Sequence, residues 1–128
     1  MSLKMFERRC ALSTRKDEAY LRHIKDAICD IKQFMKGVTK EEFFRNKEKQ
    51  YAVLRGLEII GEATKNLSKE LKAEHSEIQW SEIAGMRDKL IHQYFGVNID
   101  LVWETFKKNI PELENVISEI LRKITDTT

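Results

Sequence analysis

Leu21-Arg22-His23-Ile24-Lys25-Asp26-Ala27-Ile28-Cys29-Asp30-Ile31-Lys32-Gln33-Phe34-Met35 decides the fold class. Leu21, Ile24, Ile28, Ile31 and Met35 recur in alternating steps of three and four, which puts them on one stripe of a helix from about Asp17 to Lys36. Gly37 stops that helix. Thr39, with Glu42 three places on, reads as a capping box that opens a short helical turn carrying Phe43 and Phe44. A long helix follows over roughly Asn46 to Leu67, with Val53, Leu57, Ile60 and Ala63 as its buried face. Gly56 and Gly61 inside it cost about 1 kcal/mol each in propensity, so they suggest close approach of another helix or imperfect propensity. The polar stretch 68–79 reads as a short helix and a connection.

Ser81 is the expected N-cap of a helix that runs to about Phe95, where Gly96 breaks it. Asp100 is the expected cap of the last helix, whose stripe of Phe106, Ile110, Leu113, Ile117, Ile120 and Ile124 keeps its period through Pro111. The proline ring clashes with the carbonyl of Lys107 and removes an amide bond, which predicts a kink between two segments meeting near Asn109. No useful length alternates with period two, and hairpin signals are absent. The expectation is an all-α bundle of four or five helices with short connections.

The chain has 128 residues. That suits one domain, and the expected organisation is an N-terminal extension over 1–15, not necessarily ordered throughout, followed by a single helical domain over 16–128. Met1-Ser2-Leu3 is compatible with a cloning remnant. Lys plus Arg number 23 against 21 for Asp plus Glu, a net charge of +2, so any RNA contact has to come from a local patch. Cys10 and Cys29 have no metal spacing, and neither a metal nor a cofactor is expected. Free thiols and the lack of a signal-like N-terminus point to the cytoplasm. No apolar run approaches the roughly 20 residues a bilayer requires, so no membrane partner is expected.

The chemistry concentrates in Arg87-Asp88-Lys89-Leu90-Ile91-His92-Gln93-Tyr94. A fixed cation, a titratable imidazole and a phenol stand within one short stretch, a set suited to a phosphodiester. On one straight helix Arg87 and Tyr94 share a face within about 20 degrees, whereas His92 stands about 140 degrees from Arg87. His92 then lies over Asp88, whose carboxylate can hold the imidazole or raise its pKa. A second copy packed across a two-fold axis gathers two arginines and two histidines, so the spacing hints at a symmetric dimer. If the substrate is RNA, His92 takes the 2′-hydroxyl proton or protonates the leaving 5′-oxygen, and Arg87 stabilises the phosphate charge. On composition alone, however, such a pair is more often a surface ion-pair former and a half-buried ring. His23 and His75 read as surface residues, Glu62 as a solvated carboxylate and Trp80 and Trp103 as packing at the ends of the bundle. Lys65, Lys69 and Lys72 read as a solvated face.

The arginine, four residues, histidine, one residue, tyrosine pattern resembles the signature of the HEPN superfamily, and within it the HepT-like toxins of HepT/MntA-type toxin–antitoxin pairs. Leu57-Glu58-Ile59-Ile60-Gly61-Glu62-Ala63, Trp80-Ser81-Glu82-Ile83-Ala84-Gly85-Met86, Tyr94-Phe95-Gly96-Val97 and Val102-Trp103 are similar to that family in order and spacing. The likeness covers roughly Asp17 to Ile124. It implies a dimeric helical bundle, with further assembly left open, in which Arg87 and His92 line a cleft that cuts RNA without metal. It also implies a nucleotidyltransferase antitoxin that transfers AMP to the motif tyrosine, here Tyr94. Asp88 departs from the family, which often has asparagine there, and sets a carboxylate beside the phosphate-binding cation. The alternative is a catalytically silent helical module that binds nucleotide or RNA and partners a nucleotidyltransferase.

Overall fold

The computed structural model describes residues 3–92 and 96–126, with the side chains of residues 15–86, 88–90 and 96–126. The chain is all-α. Helix α1 spans Leu3–Phe34, α2 Lys40–Arg45 and α3 Lys47–Lys65. Leu21, Ile24, Ile28 and Ile31 on α1 and Val53, Leu57 and Ile60 on α3 have no solvent exposure, so the two stripes form one core. The helices run antiparallel: Lys49 Nζ donates to the Phe34 carbonyl at 2.7 Å at one end, and Asp17 meets Ser68 at the other. A Cβ on Gly56 would come within 2.5 Å of Ile31 Cγ1, so this glycine lets α3 close onto α1. Of the two readings of the interior glycines, close approach is the one observed.

Asp17 is 5% exposed yet carries hydrogen bonds to both its oxygens, from Ser68 N at 2.8 Å and from Ser68 Oγ at 2.6 Å. The same Oγ accepts from Leu71 N at 3.1 Å and so caps α4, Lys69–Glu74. One carboxylate thus ties the first helix to the start of the fourth. At the other turn, Gly37 adopts φ +75 and Thr39 accepts from Glu42 N at 3.2 Å, as the capping pattern predicts.

The C-terminal helix is made of α7, Ile99–Glu104, a π-helical segment, Thr105–Asn109, and α8, Ile110–Asp126. The Ile110 amide donates to the Thr105 carbonyl, a five-residue step, immediately before Pro111. A π-helical turn therefore stands immediately before Pro111, the residue with no amide hydrogen. Thr105 Oγ1 satisfies itself on the Leu101 carbonyl at 2.7 Å. Ile110, Leu113, Ile117 and Ile120 are buried against the core, and Lys32 pairs with Glu114 at 3.0 Å between α1 and α8.

Four local expectations are corrected. Helix α1 starts at Leu3, not near Asp17, so the apolar stripe Leu21, Ile24, Ile28 and Ile31 lies on its C-terminal half, with Met35 just past its end. The N-cap of α5 is Gln79 and not Ser81: its carbonyl accepts from Glu82 N and Ile83 N at 3.1 Å, because Trp80 is already anchored by its Nε1 on the His75 carbonyl at 2.9 Å. The N-cap of α7 is Asn98 and not Asp100, with its side chain accepting from Leu101 N at 3.2 Å. His75 is half-buried and not a freely exposed surface residue, its side chain 17% exposed and its Nδ1 3.6 Å from Glu77. Among the described residues no helix is long and apolar enough to cross a membrane.

Candidate functional site

The motif does not lie on one helix. Helix α5, Trp80–Ala84, ends at Gly85, whose amide donates to the Ser81 carbonyl at 3.0 Å. Helix α6, Met86–Leu90, holds Arg87 and Asp88 and stops one residue before Ile91. Ile91 and His92 form a two-residue strand, β1, antiparallel to β2, Gly96–Val97, with Ile91 opposite Val97 and His92 opposite Gly96. The pairing continues with Asn98 N donating to the Leu90 carbonyl at 2.8 Å. That bond captures the carbonyl which a continuing helix would present to Tyr94, and Gly96 supplies the φ of +78 that the return of the chain needs. Among the described residues this local ladder is the one place where the expectation of no strand fails.

The difference removes the angular argument for the motif. With His92 in an extended segment, the helical register that set it over Asp88 no longer applies. Tyr94 lies outside the described residues, so its helical relation to Arg87 has no counterpart here. What the structure brings together is Asp88 with residues from α1 and α3.

Asp88 and Ala84 form one wall of a groove of about 400 Å³, a size in the range of small-ligand sites. Tyr20 and His23 of α1 form another wall, packed edge to face with ring centroids 6.0 Å apart. Arg55, Glu58, Glu62 and Lys65 line it from α3. Gly61 is the floor: a Cβ there would stand 3.3 Å from the Ala84 carbonyl, so the bare backbone lets α5 sit directly on α3. The charged groups pair in short range, Arg55 with Glu58 at 3.3 Å and Lys65 with Glu62 at 3.6 Å. Glu62, read from the sequence as solvated, is both exposed and part of the groove. On its other flank α6 contributes Met86, Lys89 and Leu90 to a second cavity of about 370 Å³, shared with Leu101 and Thr105.

Tyr20, His23 and Arg55 were not singled out by pattern as groove residues, since nothing near them in sequence resembles a site. One signal was available. Tyr51, Arg55, Ile59 and Glu62 recur at helical spacing on the face of α3 opposite its buried stripe, and Tyr51 and Ile59 stay exposed at 63% and 37%.

The sequence profile of the family described as ribonuclease HepT-like matches residues 24–120. A candidate RNase of Caldanaerobacter subterraneus subsp. tengcongensis is 52% identical over 81% of this chain and 93% of its own length. A candidate ribonuclease HepT of Thermococcus cleftensis is 48% identical over 85% of this chain and 98% of its own. A candidate RNase of Methanocaldococcus jannaschii is 47% identical, with 84% and 88% covered. No solved structure matches significantly.

Proposed function

Since the chain belongs to the HepT-like family of ribonucleases, we propose that it is a metal-independent endoribonuclease toxin that cuts RNA through Arg87 and His92. The observation that carries the reading is the position of Asp88, the residue after Arg87, in the wall of a groove of nucleotide size. His92 acts as the proton-transfer group, on the 2′-hydroxyl or on the leaving 5′-oxygen, and the Arg87 guanidinium binds the crowded phosphate through its planar fork. The nucleophile is the substrate's own 2′-hydroxyl, which confines cutting to RNA and leaves a 2′,3′-cyclic phosphate and a free 5′-hydroxyl. Asp88 is a supporting residue that sets the local charge beside Arg87.

Two copies of the chain pair across a two-fold axis, so that each cleft holds motif residues from both. A nucleotidyltransferase antitoxin neutralises the toxin by placing AMP on Tyr94, where an added anion repels the RNA phosphates. The test is cleavage of tRNA and mRNA in EDTA by protein with Tyr94 confirmed unmodified by mass. We expect cyclic-phosphate ends with the natural sequence and a loss on the order of 10²–10⁴ with His92→Ala. Equal traces from the two proteins would refute the nuclease and leave a silent partner of the nucleotidyltransferase.

A further inference from the structure

We propose that the groove between α1, α3 and α6 is a single-nucleotide subsite for single-stranded RNA, flanking the phosphodiester that is cut. The inference rests on the ribonuclease reading for the identity of its ligand and extends it to residues outside the motif. Three features of the groove support it.

First, the wall formed by Tyr20 and His23 offers an aromatic surface. The two rings hold each other edge to face, and His23 is exposed, so a base can stack on the imidazole while Tyr20 fixes its plane. Second, Arg55 and Lys65 offer cations at the rim. Their side chains are 72% and 56% exposed, and their partners Glu58 and Glu62 stand three residues away on the same helix. Exposed pairs of that kind are weak, so either cation can turn to a phosphate without a large loss. Third, the groove is not a general anion track, because its two permanent cations face three carboxylates, Glu58, Glu62 and Asp88. That excess of carboxylates argues against a long backbone path and limits phosphate contact to the rim cations, leaving the base as the main occupant. The exposed Ile59 completes the rim with an apolar contact for base or ribose.

The experiment measures binding apart from cleavage. A short 2′-O-methyl oligonucleotide with a fluorescent end lacks the nucleophile, and its anisotropy reports affinity for the full chain. Binding is expected to weaken on the order of tenfold for His23→Ala, through lost stacking. Arg55→Ala should weaken it by a similar factor and make the slope of log affinity against log salt shallower by about 0.7, the mark of one lost phosphate contact on a single strand. Both positions are exposed, so the fold is expected to survive, and Arg122→Ala on the far helix α8 should change neither affinity nor slope. Variants that bind like the natural sequence overturn the subsite while leaving the ribonuclease reading intact wherever RNA is still cut. Groove-dependent binding without any cleavage overturns the nuclease, and with it the subsite's place beside a cut phosphodiester, while the groove remains an RNA-binding site. If the natural sequence cuts RNA but does not bind the oligonucleotide, the subsite is refuted, and if it does neither, both fall.

Discussion

Ile28 and His92 reach their places by different means. Ile28 is fully buried because it repeats with Leu21, Ile24 and Ile31 at the period of a helix, and burial of that stripe against α3 and α8 holds α1 in place. His92 sits in a two-residue strand because the Leu90 carbonyl takes its hydrogen bond from Asn98, in line with the antiparallel pairing of Ile91 with Val97. In the first region many apolar contacts set the geometry, so the pattern can be read locally. In the second a few backbone bonds do so, and these depend on what the chain does several residues later. The lesson is that the scaffold follows from its apolar stripes, whereas among the described residues the course of the motif turns on backbone bonds to residues farther along the chain.

Substitutions can test that division, beginning with the core. Ile28→Ala should cost about 2–5 kcal/mol in urea unfolding, the range for emptying a fully buried aliphatic site. A cost below about 1 kcal/mol would show that α1 is not anchored by its stripe, and the contrast would collapse. Next comes the polar tie within the scaffold. Asp17→Ala removes two hydrogen bonds from a buried carboxylate and leaves the Ser68 amide without its partner, for an expected loss of about 1.5–3 kcal/mol. A loss as large as that of Ile28→Ala would mean that the scaffold also depends on single polar contacts.

The smallest effects belong to the motif region and sharpen the comparison most. Asn98→Ala should cost about 1 kcal/mol, because it removes the cap of α7 next to the bond that ends α6. Ser81→Ala should stay within about 0.5 kcal/mol, since Gln79 and not Ser81 begins α5. Thermal unfolding of the two variants side by side decides the matter: a larger effect at Ser81 would restore the continuous helix expected from the sequence.

Much of the scaffold was legible in advance. The stripe of α1, the capping Thr39 and the buried face of α3 all follow from spacing and side-chain shape, whereas the interior glycines left close approach and imperfect propensity both open until the packing decided. For the last helix the sequence predicted a kink at Pro111; what the structure has beside it is a π-helical turn over Thr105–Asn109, a form not foreseeable from one missing amide. The motif segment was harder. Ser81 and Asp100 are both good capping residues by type, but Gln79, which precedes the Trp80 anchored on the His75 carbonyl, and Asn98, whose amide bonds the Leu90 carbonyl, took the capping positions. The groove was harder still, because its walls come from three separate helices and no local period connects Tyr20, Arg55 and Asp88.

The sequence alone determined the all-α class, the buried faces of the long helices, the family resemblance and the chemical groups of the motif. These depend on periodicity and residue type, which are properties of neighbours along the chain. Only the tertiary structure decided where α6 ends, that His92 leaves the helix, and that Asp88 shares a groove with Tyr20, His23 and Arg55. Those outcomes depend on which backbone groups find partners once α1, α3 and α7 have packed, and such partners are distant in sequence.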